Sequence, residues 1–248
     1  MKVISISLKL SLLLLLITPL RGYDLDFSRD SRDPNLFQFV RIRYNGFSLG
    51  GWGGMRGQWV PPWMHDYPRA ERNFLKILGE LTTVETSSES YLVLDLSDPD
   101  IMNYPFLYVS EPGYWDVTER EVENLREYLN RGGFIVFDDF RGPAEWSSFA
   151  HCMRQVFPER HFEKLTLDHP VFHCFYDIET LEMIPPYDSG KPEFYGLTDE
   201  DGRLLAVANF NNDIGDYWEW SDESLVPVRL SNEAYKLGIN YVIYAMTH

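Results

Sequence analysis

The sequence has two cysteines in 248 residues, 22 lysines and arginines, and no apolar run long enough to cross a bilayer comfortably. Two cysteines rule out a disulfide scaffold. The shortage of positive charge, against 38 Asp and Glu and a formal net charge of −16, leaves no basic face for nucleic acid or an anionic membrane surface. The glycine-rich stretch over residues 46–57 (GFSLGGWGGMRG) lacks the Lys-Ser/Thr of a phosphate-binding loop and reads as a loop. G-x-S-x-G and its Cys analogue are missing too: Cys152 stands in AHCMR and Cys174 in FHCFY, with no flanking glycines. That disfavours a serine or cysteine hydrolase. No repeat, low-complexity tract or interior linker divides the chain.

What is present is the composition of a globular protein. Hydrophobic residues make up 44% and aromatics 15%, enough for a substantial core, which excludes intrinsic disorder and collagen. Residues 1–22 read as a secretion signal, with Lys2 and Lys9 ahead of a short apolar run and Pro19 after it. The run falls short of the roughly 20 apolar residues of a membrane span, and an uncleaved N-terminal anchor is the alternative. The expected location is periplasmic or extracellular, with contact to a membrane only through this segment if it is retained. Without the leader the chain carries 19 basic and 38 acidic residues, net −19. Residues 177–223 alone hold 13 acids and two bases, and are expected to be where a cation, sugar or basic partner docks. Cys152 and Cys174 either form one disulfide or remain two buried thiols.

Residues 23–35 read as a linker. Residues 37–44 (FQFVRIRY) alternate as a strand does. Residues 70–81 have a helical period, with Asp66 a candidate cap and Pro68 in the first turn. Residues 92–94 and 106–109 are short apolar strands. TERE at residues 118–121 is a capping box opening a helix to Leu129, closed by Arg131-Gly132-Gly133. FIVF at residues 134–137 fits a buried parallel strand. Residues 143–157 read as a helix, residues 204–208 as a strand and residues 232–246 as a final helix. This is the pattern of an open α/β sheet, whose ligands bind outside the carboxyl ends of the strands. The positions just after Val109 and Phe137 are therefore the first to inspect.

Asp138-Asp139 follows the best strand and is the candidate acid/base pair. Strand alternation sends the two carboxylates to opposite faces, so one is expected to face the crevice and the other to cap a helix or pair with Arg141. His169 and His173 in HPVFH have the four-residue spacing of a helical metal pair, although Pro170 favours a turn. With Asp213 they are the candidate ligands of a divalent metal. Residues 209–220 (NFNNDIGDYWEW) combine amides, acids and two Trp, a composition suited to a cation or, through an exposed ring, to a sugar. An asparagine-rich turn stapled to the core by its Trp residues is the alternative there. Asp66, Arg69, Arg141, Trp146, Asn211, Asp216 and Trp218 are the candidate ligand-binding residues. The Asp139 region is expected to converge with HPVFH.

Several strings taken together resemble the bacterial family called domain of unknown function 4159: FVRIRY (39–44), DYPRA (66–70), YPFLYV (104–109), YLNRGGFIVFDDFR (128–141), VFP (156–158), HPVFH (169–173), residues 215–220 and AYKLGINYVIYAMTH (234–248). They cover nearly all of residues 36–248, which are expected to form a single domain. The family looks related to the trehalose-utilisation and class I glutamine amidotransferase-like fold. The resemblance implies a flavodoxin-like three-layer sandwich with a mostly parallel sheet, and lends no mechanism, since the amidotransferase Cys nucleophile is absent here. Two functions are open on this reading. One is an exported, non-catalytic binding or assembly module for a small molecule, sugar or envelope protein. The other is an enzyme acting on a sugar or cell-envelope glycan, with metal assistance.

Overall fold

The computed structural model describes residues 33–46, 53–54, 58–183 and 190–248. The expected leader, most of the expected linker and most of the glycine-rich loop lie outside the described residues. The alternating segment forms β1 (Phe39–Arg43), and the apolar runs form β4 (Tyr91–Asp95), β5 (Phe106–Ser110) and β6 (Phe134–Phe140). β2 (Gly53–Gly54) and β3 (Gln58–Trp59) make a separate small hairpin. β7 (Glu163–Lys164), β8 (Glu193–Thr198) and β9 (Leu204–Phe210) complete a seven-stranded sheet of order β4-β1-β5-β6-β9-β8-β7. The first five strands in this order run parallel, while β8 and β7 are antiparallel additions at one edge.

Strand parity sorts the side chains onto two faces. Phe39, Phe134 and Val136 join one apolar cluster with α1 (Arg69–Leu81), α4 (Ile214–Glu219) and α5 (Val228–Thr247). Val40, Ile42, Ile135 and Phe137 join a second cluster with α2 (Glu119–Asn130) and α3 (Gly142–Val156). β6 is buried on both faces, as its unbroken apolar run requires.

The capping box opens α2: Thr118 Oγ1 accepts from the Glu121 N–H, and the Glu121 carboxylate accepts from the Thr118 N–H. α5 starts at Val228, with Pro227 as its N-cap, four residues before the expected start. Pro68, not Asp66, is the N-cap of α1. Asp66 gives that helix only its backbone carbonyl, which accepts from the Ala70 N–H. Cys152 and Cys174 are free, because they belong to opposite faces of the sheet. Cys152 packs in the α3 cluster and Cys174 against the α5 cluster. No helix among the described residues is long and apolar enough to cross a membrane.

Candidate functional site

In an open α/β sheet the crevice lies at the carboxyl ends of the strands where the order reverses. Here β1 is followed by β4 on one side and β5 on the other, so the crevice opens above β1, β5 and β6. Four segments bring acids to it. Asp66 follows His65 in the loop before α1, Glu111 follows β5, Asp138 and Asp139 end β6, and Asp213 and Asp216 stand at the start of α4. Asp66, Glu111, Asp138, Asp139 and Asp213 are all buried. Asp66, Glu111, Asp139 and Asn211 have positive φ (64°, 50°, 57° and 54°), a concentration of uncommon backbone of the kind found at functional sites.

The centre of the cluster is His65. Its Nδ1 lies 2.7 Å from Asp139 Oδ2, 3.4 Å from Asp66 Oδ1 and 3.8 Å from Glu111 Oε1. Its side chain is 33% exposed while those of the acids around it are 0–3% exposed, so it is the solvent-accessible member of a buried acidic cluster. Burial opposes charge on the ring, but Asp66, the hydrogen-bonded Asp139 and Glu111 outweigh it and push its pKa up to about 10. Burial, helped by the charge of Asp139, lifts Glu111 to about 8, and burial holds Asp66 and Asp213 well above the carboxylate range.

Arg41 fixes the loop that carries His65. It lies fully buried on β1, paired with Glu71 of α1, and its Nη1 donates to the carbonyls of Trp63 (3.0 Å) and His65 (2.9 Å). Its guanidinium stacks 5.1 Å from the centre of the Tyr108 ring.

The expectation that Asp138 and Asp139 face opposite sides holds only in part. The register of β6 on β9 shifts between Phe137 and Phe140, and Asp139 takes a left-handed conformation in that bulge. Asp139 turns to His65 and accepts from Arg141 Nη2 (2.9 Å). Asp138 is a structural acceptor, bonded by Tyr108 Oη (2.8 Å), Asn209 Nδ2 (2.9 Å) and the N–H groups of Ile214 (2.9 Å) and Gly215 (3.1 Å). Burial raises its pKa to about 7 against the pull of those donors.

Other expected site residues go elsewhere. Arg69 pairs with Asp222 and Glu223 and stacks on Trp220 at the surface. Trp146 stacks on Phe140 and packs with Tyr195 and Phe210. Asn211 accepts from the Gly142 N–H and donates to the Lys191 carbonyl. Trp218 is buried against Phe39, Phe74 and Tyr108, so it offers no face to a sugar. The candidate set of His169, His173 and Asp213 is not assembled. HPVFH forms one 3-10 turn, Pro170–Phe172, instead of an α-helix, with the His169 ring accepting from the Val171 N–H. His173 bonds the Leu167 carbonyl and Asp177, and Asp213 caps α4 through the Asp216 N–H. The segment packs against α5 and Phe194, not against Asp139.

Among the described residues, two sets of three donor atoms lie within 4.8 Å of one another: His65, Glu111 and Asp139, and His65, Asp66 and Asp216. Of the acidic stretch over residues 177–223, Asp213 and Asp216 reach this cluster, while the carboxylates of Asp177, Glu182 and Asp222 are exposed. A groove of about 520 Å³ between α1 and α5, lined in part by Asn73, Lys76 and Tyr235, shares no residue with it. The residues not named as site candidates from sequence are Arg41, His65, Glu71 and Glu111. Glu111 stands two positions after Val109, where the strand-end rule pointed, and Arg41 shares the parity of core-facing Phe39.

No curated protein matches the chain. The model of the family described as Domain of unknown function (DUF4159) matches residues 38–246, almost the whole span covered by the resemblance of the strings. The chain belongs to that family.

Proposed function

We propose that the protein is an exported, non-catalytic binding module on a flavodoxin-like, amidotransferase-like scaffold, holding its ligand at the crevice around His65. Counted in chain order, the five parallel strands run 2-1-3-4-5, the flavodoxin-like order, which supports that classification. The leader-like residues 1–22 support export. The observation that carries the binding reading is the turn after β5. The residue in this sharp left-handed turn (φ 50°) at the end of β5 is Glu111, so that strand end presents a carboxylate to a ligand and no Ser or Cys nucleophile. An imidazole nitrogen among buried carboxyl groups suits a cation, or a neutral molecule bearing donor groups.

The test is thermal unfolding of the full chain and its Asp139→Asn variant with sugars, polyamines and divalent cations as probes. A Tm raised by one probe class in the wild type and not in the variant is expected. No shift with any class overturns the reading, and so does hydrolysis of a glycan that Asp139→Asn abolishes.

A further inference from the structure

We propose that the His65 crevice binds one divalent transition-metal ion of the zinc or manganese class, with His65, Asp66, Glu111, Asp139 and Asp216 as its pool of ligands. The inference rests on the reading of this crevice as the binding site and names the class of ligand it takes.

The first support is geometric. The two three-donor sets share His65. From its Nδ1 the carboxylate oxygens stand at 2.7, 3.4 and 3.8 Å. Ligands about 2.1 Å from one tetrahedral or octahedral ion lie about 3.0–3.4 Å from one another, so small rotations bring the three donors of either set to one ion.

The second support is independent of the clustering. The Asp66 side chain is 0% exposed, and its oxygens meet only the Asp216 carboxyl and, at 3.4 Å, the His65 ring, with no backbone or amide donor among the described residues. Glu111 Oε2 is buried and unbonded. A buried carboxylate with so few donors is costly, and an ion bound to it lowers that cost. Space is kept for Asp66 by a glycine: a Cβ at Gly215 would come 2.5 Å from Asp66 Oδ2.

The donor types select the ion. An imidazole nitrogen among carboxylates fits zinc or manganese better than calcium or magnesium, which prefer oxygen alone, and no thiolate is present to favour copper(I). The surroundings already orient two of the ligands. Arg141 holds Asp139 Oδ1 and leaves Oδ2 toward His65, while Arg41 anchors the carbonyl of His65.

The experiment uses the full chain, stripped with a chelator and titrated calorimetrically with Zn²⁺, Mn²⁺ and Ca²⁺, with bound metal measured by elemental analysis. One equivalent of Zn²⁺ or Mn²⁺ per chain is expected, with Ca²⁺ at least tenfold weaker. His65→Ala and Asp66→Asn should each weaken uptake at least tenfold while keeping the wild-type near-UV circular dichroism. If Asp66→Asn does not fold, Asp139→Asn takes its place. The surface variant Asp222→Asn should bind as the wild type does. No stoichiometric uptake by the folded wild type overturns the inference, as does uptake undiminished in His65→Ala and in the folded carboxamide variant. If the wild type takes no ion but a polyamine or sugar still stabilises it through Asp139, the metal inference falls and the binding reading stands. If neither occurs, both fall.

Discussion

The imidazole Nδ1 of His65 lies 2.7 Å from Oδ2 of Asp139, across 74 positions of sequence. Two segments with no local relation meet there: a loop ahead of α1 and the bulged end of β6. The contact depends on Arg41, which reaches through the core from β1 to hold the His65 carbonyl. Core electrostatics and site geometry are therefore one system in this protein.

Arg41 and Glu71 form a buried ion pair with side chains 1% and 0% exposed. Arg41→Ala should destabilise the chain by about 3–5 kcal/mol, because it strands a buried carboxylate and releases two carbonyls. Replacing both partners, Arg41→Met with Glu71→Leu, should recover much of that loss while leaving the His65 loop misplaced. Urea unfolding measures the first effect, and the Asp139-dependent ligand response measures the second. A single variant as stable as the wild type would show that the pair does not organise the fold.

The two adjacent aspartates should separate cleanly. Asp138→Ala leaves Tyr108 Oη, Asn209 Nδ2 and two backbone N–H groups without their acceptor, and should cost about 3 kcal/mol or more. Asp139→Asn should cost about 1 kcal/mol or less, since Asn tolerates positive φ and the change removes one charge from a crowded acidic pocket. It should nevertheless abolish ligand response. Chemical denaturation of both variants checks the order, and a larger loss for Asp139→Asn would reverse the roles assigned here.

Burial pushes the thiols of Cys152 and Cys174 up to about 11. A raised thiol pKa keeps the neutral form at neutral pH, so at pH 8 roughly one thiol in a thousand is thiolate. Alkylation of the native chain should be slow at pH 7–8 and quicken about tenfold per pH unit toward 11. Unfolded chain should release two titratable thiols. Mass spectrometry after a timed iodoacetamide pulse gives the rates. Modification of the native protein at the rate of a free cysteine, or fewer than two thiols on unfolding, would contradict this.

Local signals made much of the scaffold legible. The period over residues 70–81, the TERE box and the unbroken FIVF run each report an interaction within one segment, and each corresponds to an element in the structure. The strand-end rule led to the right edge of the sheet, with Glu111 and Asp139 beside the two positions it marked. What failed depended on partners far away in sequence. Trp218 resembles a binding-site ring in its own window, yet Phe39, Phe74 and Tyr108 enclose it. The four-residue spacing of His169 and His173 implies a shared face only on an α-helix, and Pro170 starts a 3-10 turn instead. The bulge that turns Asp139 to His65 arises from pairing with β9, which alternation within β6 does not reveal.

The most direct test is nitrogen NMR of the full chain with its six histidines ¹⁵N-labelled in the ring, before and after one equivalent of Zn²⁺. Placing the site at His65 predicts that the Nδ1 signal of His65 moves to a metal-bound position and is lost from that position in Asp139→Asn, while His169 and His173 stay unchanged. Movement of His169 and His173 with His65 unaffected would contradict the account.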